Sequence, residues 1–163
     1  MDKVLIRNAN YEDLDRLVEI EGICFPAAEA AKRDSIEERL RVYNKGFFVI
    51  EKDCELVGFI NGGAFAEDTI KDEFFESMDL HDDMNPNLMI FGLDVLPAYQ
   101  GRDFGKMLME SFIEFGKQEN KSAILLTCKE HLIHYYSRFG YVNLGVAEST
   151  HGGAKWYDMR MKL

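Results

Sequence analysis

The N-terminal half of the chain alternates short apolar stretches with an apolar stripe at helical spacing. Val4 and Ile6 alternate with polar neighbours and predict a short first strand. Asn10 is placed to cap a first helix, which must end before Phe25-Pro26, because the residue that precedes a proline avoids the helical region. The elements predicted next are a helix over Glu29–Asn44, a strand over Phe47–Ile50 and its hairpin partner over Glu55–Ala66.

The C-terminal half changes from strand to helix twice. Ala123–Cys128 is a short continuous apolar run, as expected of a strand that is covered on both faces. The other predicted elements are a strand over Leu88–Val95, a helix over Phe104–Lys117, a helix over Leu132–Phe139 and a final strand pair over Tyr141–Val146 and Lys155–Met161. The order β-α-α-β-β-β-α-β-α-β-β has no repeats or linkers, and it predicts one α+β domain over residues 1–163 around a mixed sheet.

The formal net charge of −10 narrows the range of partners. It argues against nucleic acid, whose binding needs clustered lysine and arginine. An acidic surface is compatible with a cationic substrate, whose local concentration it raises, and also with a role in solubility alone. Acidic side chains are densest between Glu67 and Asp83, around a helical turn expected near Phe74 and Met78. A negative rim beside an active site is therefore a further prediction.

The cysteines Cys24, Cys54 and Cys128 are an odd set without a Cys-x-x-Cys pair, so neither a disulfide framework nor a metal site is predicted. Cys128 stays open as a catalytic nucleophile. No secretory signal pattern follows Met1, and no stretch approaches the roughly 18 apolar residues that a membrane span needs. We therefore expect a cytoplasmic protein without a membrane partner, either a monomer or a homodimer.

The segment Leu93–Lys106 is the part of the chain that points to a ligand. It lies between a predicted strand and an amphipathic helix, and glycine residues with free backbone N–H groups at a helix N-terminus form a receptor for a pyrophosphate. Arg102 and Lys106 add positive charge to an otherwise acidic protein. Taken without the rest of the chain, the segment is equally compatible with an ordinary capped connection between a strand and a helix.

In full, the segment resembles the acyl-coenzyme A signature of the GNAT superfamily of N-acetyltransferases. That signature reads Gln/Arg-x-x-Gly-x-Gly/Ala after a strand that ends Leu-x-Val-x-Pro. Gln100 and Gly105 match it, whereas Asp103 occupies the position of its middle glycine. The departure has two interpretations: Asp103 caps the helix and favours its dipole, or its carboxylate and side chain weaken the binding of the cofactor.

Further segments resemble the same family, so that the resemblance covers nearly the whole chain. Residues 129–141 are similar to its final motif, in which a tyrosine precedes a Phe-Gly turn. Residues 24–31 and 149–159 resemble the arylalkylamine (serotonin-type) N-acetyltransferase branch, particularly its microbial members. The resemblance implies the GNAT fold, a mixed and mostly antiparallel sheet flanked by helices. It also implies direct attack of a small primary amine, an arylalkylamine, diamine or polyamine, on the thioester of acetyl-coenzyme A.

The resemblance also assigns residues to the site. Tyr136 falls on the position of the general acid that protonates the departing thiolate. The residues implied in cofactor binding are Leu93, Asp94, Val95, Gln100, Gly101, Arg102, Asp103, Phe104, Gly105 and Lys106. Backbone N–H groups of the strand among them are the implied oxyanion donors. The residues implied in the amine pocket are Phe25, Pro26, Phe91, Thr127 and Trp156.

The general base is the open part of this assignment. Animal enzymes of the branch use two histidines on the strand before the cofactor loop, and here Met89 and Phe91 occupy those positions. His151 is the first substitute, because its loop matches a segment that lines the substrate and imidazole accepts a proton near neutral pH. Asp94, His81 and ordered water are the alternatives.

Two rival functions stay open at this point. Asp103 and the missing histidines are compatible with a non-catalytic acyl-coenzyme A sensor or interaction module on the same fold. Acetylation of peptide or protein N-termini is the other possibility, and a deep closed pocket would argue against it.

Overall fold

The elements follow the predicted order, and the helical turn expected in the acidic segment is present as a short helix. The computed structural model describes residues 3–163. The strands are β1 (Val4–Asn8), β2 (Phe47–Lys52), β3 (Glu55–Phe65), β4 (Asn87–Val95), β5 (Ala123–Cys128), β6 (Val142–Val146) and β7 (Tyr157–Lys162). The helices are α1 (Leu14–Cys24), α2 (Arg33–Tyr43), α3 (Asp72–Glu76), α4 (Phe104–Gln118) and α5 (Ile133–Ser137). Across residues 3–163, no helix combines the length and the apolar character that crossing a membrane requires.

The largest difference from the predicted boundaries lies at the start of α2. The helix that was predicted from Glu29 begins at Arg33. The N–H of Glu29 donates to the carbonyl of Pro26 at 2.9 Å, and the N–H of Ala31 donates to the carboxylate of Glu21 at 2.8 Å. These bonds hold the intervening residues in a turn, so the helix starts later.

The strands form one sheet in the order β1-β2-β3-β4-β5-β7-β6. Every neighbouring pair is antiparallel except β4 and β5, which run parallel. This arrangement confirms the predicted mixed, mostly antiparallel sheet and the predicted α+β fold.

Helices cover both faces of this sheet. Neighbouring residues of a strand point to opposite faces. In β3, Asn61 accepts a hydrogen bond from Arg39 of α2 at 3.2 Å, whereas a side chain at Gly62 would meet Phe112 of α4. It follows that α2 lies on one face and α4 on the other, and α1 packs beside α2.

The strands β4 and β5 separate after a short parallel contact. Their described register joins residues 87–89 of β4 to residues 123–125 of β5. Beyond it, β4 stays paired with β3 as far as Val95, and β5 stays paired with β7 as far as Cys128. The facing edges of the two strands therefore border a gap in the middle of the sheet.

A β-bulge marks the start of this gap. The register between β3 and β4 shifts between Asn61 and Gly62, and Phe91 has no partner residue in the described register. Bulges bend the strand that carries them and turn a side chain in a new direction. Here the ring of Phe91 lies under the guanidinium of Arg39, with 4.5 Å between the guanidinium carbon and the ring centre.

We predict that Gly62→Ala lowers the free energy of unfolding by about 1–3 kcal/mol, the usual cost of overpacking. A Cβ at this position would lie 2.3 Å from the carbonyl oxygen of Met89. Gly22→Ala is the matched control: apart from its chain neighbours and the backbone of its own helix, no described atom lies within 4 Å of its new Cβ, and alanine is better than glycine in a helix by about 1 kcal/mol. In urea, the unfolding midpoint should fall for the first variant and rise for the second. An unchanged midpoint for Gly62→Ala would contradict the close approach of β3 and β4.

Candidate active site

A cavity of about 820 Å³ occupies the gap between β4 and β5. It extends from the turn after β4 to the loops that follow α1 and β6. Leu93 and Val95 of β4 line one side, and Leu126 and Thr127 of β5 line the other. A cleft with apolar walls and a few polar groups is typical of a small-molecule site.

The turn between β4 and α4 presents its backbone to this cavity. Gln100 donates from Nε2 to the carbonyl of Val95 at 3.0 Å and ties the turn to the end of the strand. The φ angles of Gly101 and Asp103 are 76° and 67°, which places both residues in the left-handed region. Gly105, in the first turn of α4, also lines the cavity. The positive end of the α4 dipole and its free N–H groups therefore lie where an anionic ligand can reach them.

Asp103 occupies the N-cap position of α4, but within the described chain its side chain does not form the capping hydrogen bond that the first interpretation requires. The residue is exposed. Its backbone instead takes the left-handed conformation that glycine adopts without strain and that aspartate tolerates better than most residues. The turn keeps a glycine-like backbone despite the different residue, and weakened cofactor binding remains a prediction.

The remaining residues implied in cofactor binding divide between the cavity wall and its surroundings. Those that line the cavity are Leu93, Val95, Gln100, Gly101, Phe104 and Gly105. Arg102 and Lys106 are exposed beside the turn, and the guanidinium of Arg102 lies 5.6 Å from the ring centre of Tyr99. The side chain of Asp94 is buried behind the strand, so only its backbone is available to a ligand in the gap.

Two neighbouring phenols of α5, Tyr135 and Tyr136, line the cavity. Their rings meet edge to face with 5.1 Å between centres. Burial raises the pKa of both hydroxyls above the ordinary value, so both stay protonated at neutral pH and can donate. The Tyr135 hydroxyl lies 2.9 Å from the position that a Cβ on Gly105 would take, so this glycine lets α5 approach the start of α4.

Two loops close the far end of the cavity, residues 25–32 after α1 and residues 147–156 after β6. The ring of His151 bonds through Nε2 to the backbone carbonyl of Glu29 at 2.8 Å. Because a carbonyl only accepts, Nε2 carries the proton and Nδ1 is the nitrogen left to accept one. The indole of Trp156 donates to the carbonyl of His151 at 2.8 Å. These bonds join the two loops into one wall.

The far wall is mainly aromatic. All residues that were predicted for the amine pocket line the cavity: Phe25, Pro26, Phe91, Thr127 and Trp156. Phe75 of α3 was not predicted, although it stacks on His151 with 5.2 Å between ring centres. Phe75 and Glu76 both line the cavity, so part of the acidic segment does border it.

A group of buried polar side chains lies where α1 and α2 pack on β4. Glu21, Arg39 and Asp94 are 6%, 4% and 1% exposed. Arg39 donates to the side chain of Asn61 at 3.2 Å and to the carbonyl of Phe75 at 2.7 Å. Burial raises the pKa of Asp94 well above its usual range, and the neighbouring Glu21 carboxyl raises it further. Burial lowers the pKa of Arg39 to about 10, so the guanidinium is still charged at neutral pH.

The sequence contains a signal for Glu21 and Arg39. Glu21 lies at helical spacing from Leu14 and Leu17 on the apolar stripe of α1, and Arg39 has the same relation to Ile36 on α2. Charged residues are rarely buried unless they are paired. Opposite charges on the apolar stripes of two consecutive helices therefore indicate a polar group inside the core.

The structure argues against two of the alternatives for the catalytic residues. His81 lies outside the cavity wall, where Nδ1 accepts the N–H of Ala64 at 2.9 Å and Nε2 pairs with Asp83 at 2.7 Å. Cys128 does line the cavity. Burial raises the pKa of its thiol to about 11, so at neutral pH it stays protonated and is a poor nucleophile.

The separated strands, the cavity between them and the turn at its mouth define an acyltransferase domain. A sequence model of the acetyltransferase (GNAT) family matches residues 14–141. The chain belongs to this family.

Two solved structures and one curated protein are similar to the chain. The loading GNATL domain of CurA from Lyngbya majuscula has a TM-score of 0.86 at 14% identity, with 98% of each chain covered. The GphF GNAT-like decarboxylase in complex with isobutyryl-CoA has a TM-score of 0.80 at 20% identity, with 97% of this chain and 98% of that one covered. The probable hydrolase YhcX of Bacillus subtilis (strain 168) is 26% identical over 143 residues, 83% of this chain. The chain spans only 28% of the length of that relative.

We predict that Asp103→Gly tightens the binding of coenzyme A about tenfold, or roughly 1.4 kcal/mol. The change removes a carboxylate from the turn and a side chain from a left-handed position. Asp103→Ala is the control that removes the charge but keeps a Cβ, so it should gain less affinity and should lower the unfolding free energy. Titration calorimetry measures both affinities. If Asp103→Gly bound coenzyme A more weakly than the wild type, the Asp103 carboxylate would not lie close to the bound diphosphate.

Proposed function

We propose that the chain transfers the acetyl group of acetyl-coenzyme A to a small primary amine, an arylalkylamine or one end of a diamine or polyamine. The observation that carries the proposal is the gap between β4 and β5, which joins the turn at the start of α4 to an aromatic chamber. Acetyl-coenzyme A is the acyl donor and is consumed as a substrate.

The residues on the donor side fit a pyrophosphate and a pantetheine arm. The turn at Gly101 and the N-terminus of α4 offer backbone N–H groups and a favourable dipole to the diphosphate. In the described register, β4 is not paired with β5 beyond Met89. Its free edge can therefore pair with the amide groups of the arm as with an added strand. The N–H groups of residues 93–95 are then at hand to stabilise the oxyanion.

Tyr136 is the proposed general acid. Its raised pKa keeps the hydroxyl protonated at neutral pH, and its side chain lines the cavity, so it can give a proton to the departing sulfur. The proton acceptor for the amine is either His151, through Nδ1, or the carboxylate of Glu21.

The closed far end of the cavity supports a small acceptor. Lys129 pairs with the carboxylate of Glu29 at 2.9 Å, and His151 bonds to the backbone of the same residue. Gly152 packs so closely that a Cβ would lie 2.6 Å from the Glu29 side chain. A peptide would have to open this wall, whereas one aromatic ring or a methylene chain fits inside it. The carboxylate of Glu76 at the rim adds attraction for a cation.

We predict amine-dependent release of free thiol when the purified protein is given acetyl-coenzyme A with tryptamine, phenethylamine, putrescine or spermidine. A thiol reagent measures the release, and mass spectrometry identifies the acetylated amine. Isobutyryl-coenzyme A, the ligand of the GphF relative, serves as a second donor. Coenzyme A binding without thiol release from any amine would contradict the proposal and favour a non-catalytic acyl-coenzyme A sensor.

We predict that Tyr136→Phe lowers kcat by about 10²–10⁴-fold, the range for loss of a general acid. Tyr135→Phe is the matched control, because the neighbouring phenol also lines the cavity and also has a raised pKa. The control should lose less than a tenth of that effect, and both variants should keep their affinity for coenzyme A. A larger loss in Tyr135→Phe than in Tyr136→Phe would show that Tyr135, and not Tyr136, is the general acid.

A further inference from the structure

Glu21 brings a carboxylate to the gap from the side of α1. The side chain is buried and lines the cavity. Its Oε2 accepts the N–H of Ala31 at 2.8 Å, which fixes it to the loop that closes the far end. Its Oε1 lies 3.9 Å from the position that a Cβ on Gly92 would take. Because Gly92 has no side chain, the carboxyl group of Glu21 and the closer side chains of Asp94 and Asn61 pack directly over the backbone of β4.

The carboxylate and the donor turn lie on opposite faces of β4. A Cβ on Gly105 of α4 would lie 3.8 Å from the side chain of Val95 and 3.9 Å from that of Leu93, so these residues face α4. Alternate residues of a strand face opposite sides, so Gly92 and Asp94 face α1. An amine beside Glu21 therefore approaches the gap from the face opposite the turn that would hold the diphosphate.

The Asp94 carboxyl lies beside Glu21 on this face. It is buried, and neither of its oxygens has a hydrogen-bond partner within residues 3–163. Its Oδ1 lies 3.1 Å, and the Glu21 Oε1 3.9 Å, from the position that a Cβ on Gly92 would take. Burial raises the pKa of Asp94 well above its usual range, and the neighbouring Glu21 carboxyl raises it further.

The other titratable groups around Glu21 are Arg39 of α2 and Cys24 of α1. Burial raises the pKa of the Cys24 thiol to about 12, and its Sγ–H donates to the carbonyl of Val95 at 3.4 Å, so this group is neutral. Arg39 remains positively charged and attracts both carboxyl groups.

We propose that Glu21 accepts the proton of the attacking amine, an inference that rests on the proposed function. The amine N–H donates to the Glu21 carboxylate. One proton passes from nitrogen to the Glu21 oxygen as the N–C bond forms and the C–S bond breaks. The sulfur takes a proton from Tyr136. Water then removes the proton from Glu21 and returns one to Tyr136, so the protons balance.

The first test replaces the carboxylate alone. Glu21→Gln should lower kcat/KM at pH 7 by about 10²–10⁴-fold, the range for loss of a general base, and should keep the affinity for coenzyme A. Its remaining rate should rise tenfold per pH unit up to the pKa of the amine, because only the free amine reacts. Glu19→Gln, an exposed glutamate of the same helix that pairs with Arg16, is the control and should match the wild type.

A second test addresses Asp94 without relying on turnover. Because burial raises the pKa of Asp94, the infrared spectrum of the wild-type protein at pH 7 should contain the carbonyl band of a protonated carboxyl, and Asp94→Asn should remove it. A wild-type spectrum without the band would contradict a neutral Asp94 beside Glu21.

The outcomes separate this inference from the proposed function. Amine-dependent turnover in the wild type with an equal rate and pH profile in Glu21→Gln would overturn the role of Glu21 and leave the function intact. A loss confined to His151→Gln would transfer the role to His151. Absence of turnover with every amine in the wild type would overturn the function and the role of Glu21 together.

Discussion

The separation of β4 from β5 is the constraint on which the rest of the structure depends. Backbone N–H and C=O groups inside a protein must be hydrogen-bonded, and a strand edge without a partner is costly unless water or a ligand meets it. The two strands pair briefly and then diverge around the bulge at Phe91. The sheet therefore keeps an unpaired edge next to a cavity, where an extended ligand can complete it.

The two faces of the sheet supply different groups to this gap. On one face, α4 presents its N-terminus and a left-handed turn to an anion. On the other face, α1 and α2 bring Glu21, Asp94 and Arg39 into the core, where unpaired charges would be strongly destabilising. The guanidinium of Arg39 supplies a positive charge within that group. The arrangement places the carboxyl group of Glu21 beside the gap.

The sequence was sufficient for the order of the elements, the mixed sheet and the turn at Gln100–Gly105, because these depend on local periodicity and on a spaced motif. It was not sufficient for the start of α2, since the carboxylate that holds the preceding turn comes from Glu21, ten positions before Ala31. The left-handed backbone of Asp103 could not be predicted from the sequence either, because residue type alone does not fix a left-handed φ.

The proton acceptor is a further feature that the sequence alone was not sufficient to predict. Sequence comparison directed attention to histidines, and His151 does line the cavity. Glu21 and Asp94 lie far apart in the chain, and only the packing of α1 on β4 brings their carboxyl groups together. The glutamate and arginine on apolar helical stripes indicated a buried polar group, but not its position beside Gly92.

A crystal structure of the protein with coenzyme A tests the central claim most directly. We expect the diphosphate at the backbone of Gly101–Gly105, the pantetheine arm paired with β4 in the gap, and the sulfur close to Gly92 and Tyr136. Coenzyme A bound elsewhere, or a gap closed by continued pairing of β4 with β5, would contradict the account.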